Sequence, residues 1–168
     1  MSLALVYSRA RLGIDAPLVT VEVHLSNGLP SLSIVGLPET AVRESKDRVR
    51  SAILNSHLEF PSRRITINLA PAELPKEGGR FDLAIALGIL AASEQIPSEG
   101  LQAVEFLGEL ALSGALREVN AVLPAALACG RAKRDLIVPE GNGTQAAMCE
   151  DTRVYAAHSL LTVCAHLH

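Results

Sequence analysis

Tryptophan is absent from this 168-residue chain, and aromatic residues make up only 3% of it. Bases are bound on single strands by stacking on aromatic rings, so little material for that mode exists here. The core must be aliphatic. Cysteine is scarce too: Cys129, Cys149 and Cys164 form an odd set of three, with no zinc-ligand or redox-pair spacing. Buried free thiols in a reducing compartment are expected. Excess positive charge is missing, since the formal net charge is −3, which excludes a globally basic nucleic-acid footprint. The histidines His24, His57, His158 and His166 are scattered and have no carboxylates at metal-ligand spacing. No metal site is expected.

Other absences set the class. No basic segment followed by an apolar run opens the chain, and no apolar run reaches membrane-spanning length. A soluble cytoplasmic protein with no membrane contact is expected. No Gly-x-x-x-x-Gly-Lys-Ser/Thr phosphate loop occurs, so no ATP chemistry is expected within the chain. Internal repeats and low-complexity linkers are also lacking.

What is there is a globular composition, 49% hydrophobic, at a length that favours one domain over residues 1–168. Val19 to His24, Ser31 to Val35 and Arg64 to Leu69 alternate apolar and polar residues, the period of half-buried strands. Ser26-Asn27-Gly28 carries turn chemistry between the first two, which predicts a hairpin. Pro38 can open a helix because its missing N–H is not needed there. From Glu39 to about Ser56 the period is helical. Leu83 to Ala92 is apolar on every side and too short to span a membrane, which predicts a fully buried helix. Phe106 to Gly114 reads as a strand leading into a turn. Asn120 can cap a helix over 121–132, and Asp135 to Pro139 is a short strand. A short helix over 144–149, a weak strand over 154–156 and a last helix from Ser159 follow. Strands first, then alternating helices and strands, predict an α+β domain with late βαβ-like units.

Two clusters are candidate sites. Pro71 to Asp82 joins a strand to the buried helix and packs prolines, glycines and alternating charges into the junction. A helix start presents unpaired N–H groups and the positive end of a dipole, so Lys76, Glu77 and Arg80 are candidates for contact with a partner or with DNA phosphate. The bland alternative is a solvated loop whose charges pair weakly. The second cluster is Arg43, Lys46 and Arg50, spaced to share a helix face. With Arg48, Arg63 and Arg64 they could bind phosphate. Glu39, Glu44 and Asp47 lie among them, however, and a self-neutralised surface is the commoner outcome.

Six segments in order carry a family resemblance: Ser8-Arg9-Ala10 with Gly13, Val35 to Thr40, Arg48 to Ile53, Ile67 to Ala72, Leu74 to Arg80, and Gly108 to Gly114. The chain resembles the N-terminal domain of the YifB/ComM family of magnesium-chelatase-like AAA+ ATPases. The resemblance implies the ribosomal protein S5 domain 2-like fold, similar to the Lon proteolytic domain and the C-terminal domain of the recombination protein RadA. It also implies a downstream ATPase module using ATP and Mg, a hexamer in the full-length protein, and DNA as substrate in branch migration during transformation or recombination.

Lon-type proteases use a serine nucleophile and a lysine base. Setting Pro75-Lys76-Glu77-Gly78 against the start of the Lon nucleophile loop places Arg80 at the serine position. Setting Gly108 to Gly114 against the Lon strand and turn places Leu123 at the lysine position. Arginine stays protonated and leucine accepts no proton, so the resemblance implies no catalytic residues here. A divergent peptidase using another serine, or a protein-interaction module of a chaperone-like ATPase, remain alternative readings.

Overall fold

The computed structural model describes residues 2–36 and 39–168. The proposed helix start at Pro38 lies outside them, as does Leu37 of the second family segment. The architecture is α+β. A seven-stranded mixed sheet contains β1 (Leu3–Arg9), β2 (Leu18–Ser26), β3 (Ser31–Val35), β4 (Arg64–Ala70), β5 (Val104–Phe106), β8 (Asp135–Pro139) and β9 (Val154–Ala157). Its order is β3-β4-β2-β1-β5-β8-β9. The short β6 (Glu109–Leu110) and β7 (Leu116–Arg117) form a separate two-stranded sheet.

The helices are α1 (Thr40–Arg43), α2 (Ser45–Asn55), α3 (Asp82–Ala92), α4 (Val122–Arg131), α5 (Gly143–Ala146) and α6 (Leu160–Leu167). Every residue of α3 is buried, as its continuous apolar pattern predicts. It packs on β1 and β2, and Gly88 allows the close approach: a Cβ there would meet Val23 Cγ2 at 2.5 Å. Alternation puts Val6, Val21, Val23, Ile65 and Ile67 in one cluster with α3. At the far end both faces are covered. Ile137 of β8 joins that cluster, while Leu136 and Val138 join a second one with Val122, Ala125 and Ala126 of α4.

Three expectations are corrected. β2 and β3 form no hairpin: both pair with β4, β2 antiparallel and β3 parallel. The turn chemistry at Ser26-Asn27-Gly28 bends the chain, but β4 inserts between the strands and covers both their inner edges. The helix over 39–56 is split into α1 and α2 at Glu44. Asn120 does not cap α4; the cap position is Ala121, in a left-handed conformation, with no side-chain hydrogen bond. The Asn120 carbonyl is used elsewhere, as described next. Ser159 does cap α6, accepting the Thr162 N–H at 3.2 Å.

Candidate functional site

The loop between β4 and α3 lines one wall of a cleft of about 420 Å³. Asp82, the first residue of α3, follows this loop directly. Asp82 is fully buried and accepts from Ser45 Oγ at 2.5 Å, from Arg48 Nε at 2.7 Å and Nη2 at 3.2 Å, and from the Leu110 N–H at 3.0 Å. One carboxylate thus ties α2, α3 and β6 together. Burial pushes the Asp82 carboxyl up, and the donors from Arg48, Ser45 and Leu110 pull it back. Arg48 is held above its ordinary value, chiefly by its hydrogen bond to Asp82. Arg48 also lies 3.8 Å from Glu44 and 3.9 Å from Glu109. This arginine serves the fold rather than a phosphate-binding patch.

Lys76 is not a solvated loop residue. It is 1% exposed, and its ammonium donates to the carbonyls of Gly36, at 2.6 Å, and Pro71. The strand end before the loop and the end of β3 are therefore clasped by one side chain. Burial lowers the Lys76 pKa, opposed by nearby Glu73. Glu77 is exposed and faces the cleft. Glu39 accepts the Gly78 N–H at 2.6 Å, and Gly79 passes so close to Glu109 that a Cβ there would meet its Cγ at 2.7 Å.

Arg80 is the least expected of the group. It is 6% exposed. Its Nε donates to the Arg9 carbonyl and its Nη1 to the Asn120 carbonyl, both at 2.8 Å. Nη2 is buried and has no hydrogen-bond partner among the described residues. Burial pulls the Arg80 pKa down to about 10, the charge of Arg11 adds to the fall, and Glu77 opposes it. It remains a cation at neutral pH. Leu123 is half-buried in α4 and packs on the second core cluster.

Behind Arg80 stands a second buried network. Glu105 is fully buried and accepts from Arg9 Nε at 2.7 Å, Arg9 Nη2 at 2.9 Å and Arg134 Nη1 at 3.0 Å. Arg134 also stacks over the Tyr7 ring at 4.2 Å. Sequence reasoning missed Arg9, Arg11, Asp82, Glu105 and Glu109 as a constellation. Only Ser8-Arg9-Ala10 and Gly108 to Gly114, as family segments, hinted that these distant stretches matter.

Arg43, Lys46 and Arg50 do not line this cleft, although Arg48 of the same helix region does. Lys46 and Arg50 border a different depression, beside Asp47, Phe60 and Arg63, with Arg50 over the Phe60 ring at 5.3 Å. Arg43 is exposed. The two sequence clusters are thus separate surfaces. Among the described residues no three His, Cys, Asp or Glu side chains are grouped to hold a metal ion, and no helix is long and apolar enough to cross a membrane.

Residues 21–142, most of the sheet and the whole cleft loop, match the family model described as subunit ChlI of Mg-chelatase. The chain belongs to this ChlI family. Within it, the chain is a Mg-chelatase-like module of the YifB/ComM type. It is 57% identical over 163 residues to competence protein ComM of Haemophilus influenzae, covering 97% of this chain and 32% of that protein. It is 56% identical over 167 residues to the uncharacterized protein YifB of Salmonella typhimurium, covering 99% and 33%. Against the uncharacterized protein YifB of Escherichia coli it is 52% identical over 167 residues, again covering 99% and 33%. The chain therefore spans about a third of the length of these relatives.

Proposed function

We propose that residues 1–168 form the non-catalytic, Lon-protease-like N-terminal domain of an AAA+ ATPase, and that the domain supports ring assembly and DNA engagement in branch migration. The observation that carries this reading is Arg80. The family resemblance sets it at the position of the Lon nucleophile, and its Nε and Nη1 donate to the carbonyls of Arg9 and Asn120. A buried cation cannot attack a carbonyl. A mixed sheet with buried α3 is compatible with the S5 domain 2-like fold shared with Lon and RadA. The relative called a competence protein supports a role in transformation.

In this proposal ATP and Mg act in a segment outside this chain, the full-length protein is a cytoplasmic hexamer, and DNA is its substrate. Exposed Arg43 and Arg50, with Lys46, are the contacts offered to a neighbouring subunit or to DNA, and Glu77 marks the cleft face. Fold similarity alone warrants no function, so the test is direct. A full-length protein lacking this domain is expected to lose ring assembly or unwinding of branched DNA. Normal rings and normal unwinding would sink the proposal. Arg43→Ala with Arg50→Ala is expected to weaken DNA binding and reduce its salt dependence by about one counterion per lost contact.

A further inference from the structure

The cleft beside Arg80 holds unspent hydrogen-bonding capacity. A guanidinium offers five N–H donors in a fixed fork. Two of the Arg80 nitrogens are satisfied by backbone carbonyls, and Nη2 is buried without a partner among the described residues. Such an orphan is unfavourable and calls for a matching acceptor. Arg11 lines the same cleft, close enough for its charge to act on Arg80. The Gly79, Arg80 and Phe81 N–H groups, at the start of the eleven-residue α3, take no part in the backbone hydrogen bonds of the described residues. Arg11, Arg48, Arg80 and the residues that lead into α3 thus border one cleft, and the unpartnered donor belongs to Arg80.

The surroundings decide which anion fits. Glu39, Glu44, Glu77, Glu109 and Glu118 also line the cleft. They repel a polyanion such as a nucleic-acid strand, whose charges repeat along its length. A single negative charge flanked by cations meets both needs: the anion reaches Arg80 and Arg11, and the cations meet the glutamates.

We propose that this cleft is a peptide-binding site in which Arg80 Nη2 and Arg11 receive one carboxylate of a mixed-charge peptide segment. The fork geometry of arginine suits a carboxylate. Arg11 and Asn120 are exposed, and no side-chain hydrogen bond holds either among the described residues, so both are free to adjust as the carboxylate seats. The inference rests on the reading that this face of the domain engages a partner, and it names that partner's chemistry.

The test is an NMR titration of the chain with acetyl-Ala-Lys-Glu-Lys-Ala-amide, with the same peptide carrying Gln for Glu, and with a ten-nucleotide oligothymidylate. The Glu peptide is expected to shift the Gly79, Arg80 and Phe81 amides and the Arg80 Nε–H. The Gln peptide should bind about tenfold or more weakly, the size of one charge-assisted hydrogen bond. Arg80→Lys risks the fold, because Arg80 also holds two carbonyls. Arg11→Gln is therefore the working variant, and it should weaken the Glu peptide severalfold at unchanged thermal stability. Equal binding of the two peptides, no shifts over residues 77–82, or tighter binding of the oligothymidylate at the same amides would each overturn the proposal. Loss of ring assembly without the domain, together with no peptide binding here, would leave the proposed function standing and remove this inference alone.

Discussion

Removing the Asp82 carboxylate should unfold this domain more readily than any single loss of a surface charge. In Asp82→Ala, Ser45 Oγ, Arg48 Nε and the Leu110 N–H lose their acceptor at once. Breaking one side of a buried ion pair costs about 3–5 kcal/mol. Arg48 keeps 19% side-chain exposure and has Glu44 and Glu109 within 4 Å, so its own share is partly recovered. The Leu110 N–H is buried and has no such relief, which adds about 1–3 kcal/mol. We expect a net loss of about 3–4 kcal/mol by these magnitudes. With a urea m-value of about 2 kcal/mol/M, the midpoint should fall by roughly 1.5–2 M. Asp82→Asn keeps one acceptor oxygen but turns an NH2 toward donors, and should cost about 1–2 kcal/mol. The double variant Asp82→Ala with Arg48→Met should lose less than the sum of the two single changes, because no unpaired charge remains. Urea unfolding followed by circular dichroism measures the unsubstituted protein and the four variants. A loss below about 1 kcal/mol for Asp82→Ala, or strict additivity in the cycle, would refute the assignment of Asp82 as the tie between α2, α3 and β6.

Gly88→Ala should cost about 1–3 kcal/mol by overpacking, because its Cβ would lie 2.5 Å from buried Val23 Cγ2; a neutral result in urea unfolding would show that α3 has room to move. Lys76 gives a pH signature. Its folded pKa lies below 10.5 because of burial, so between that value and 10.5 the unfolded chain holds the proton that the folded chain has released. Stability from this group therefore rises with pH in that window. Lys76→Met should abolish that increment, and identical pH slopes for the two proteins between pH 8 and 10.5 would contradict it. Burial raises the thiol pKa at all three cysteines, with Cys164 at about 11. Iodoacetamide at pH 8 should label none of them appreciably until urea unfolds the chain, as mass spectrometry would show.

Much of the fold was legible because it obeys period rules. The buried α3 announced itself as an unbroken apolar run, alternation marked β2, β3 and β4, and β8 showed as a short apolar run. The alternation does not mark β1, although Leu3 to Ser8 alternates in burial; its aliphatic residues are interrupted by Tyr7 and Ser8. The hairpin failed because pairing is a long-range choice. Local turn chemistry brought β2 and β3 near, but only the later β4 could satisfy both edges. The site was half legible. The loop does lie between a strand and the buried helix, because its prolines and glycines interrupt both periods. The burial of Lys76 and Arg80 was not legible, because charge pattern suggests solvent unless the carbonyls that will receive the charge are known. Besides that of Pro71, those carbonyls belong to Gly36, Arg9 and Asn120, each 40 or more residues away along the chain.

The sheet order carries a consequence for how this molecule comes together. β1 stands between β2 and β5, antiparallel to one and parallel to the other. Ser8 Oγ donates to the Phe106 carbonyl, 98 residues further on. β1 is thus the seam between an early half, β2 to β4 with α3, and a late half, β5, β8 and β9 with α4. The early half can close on β1 as soon as β4 emerges. Until β5 arrives, the other edge of β1 offers open backbone donors and acceptors to any passing strand. A ribosome pause or a truncation between residues 95 and 104 would leave that edge bare. Slow translation there should raise aggregation of nascent chains without altering a single contact in the finished domain.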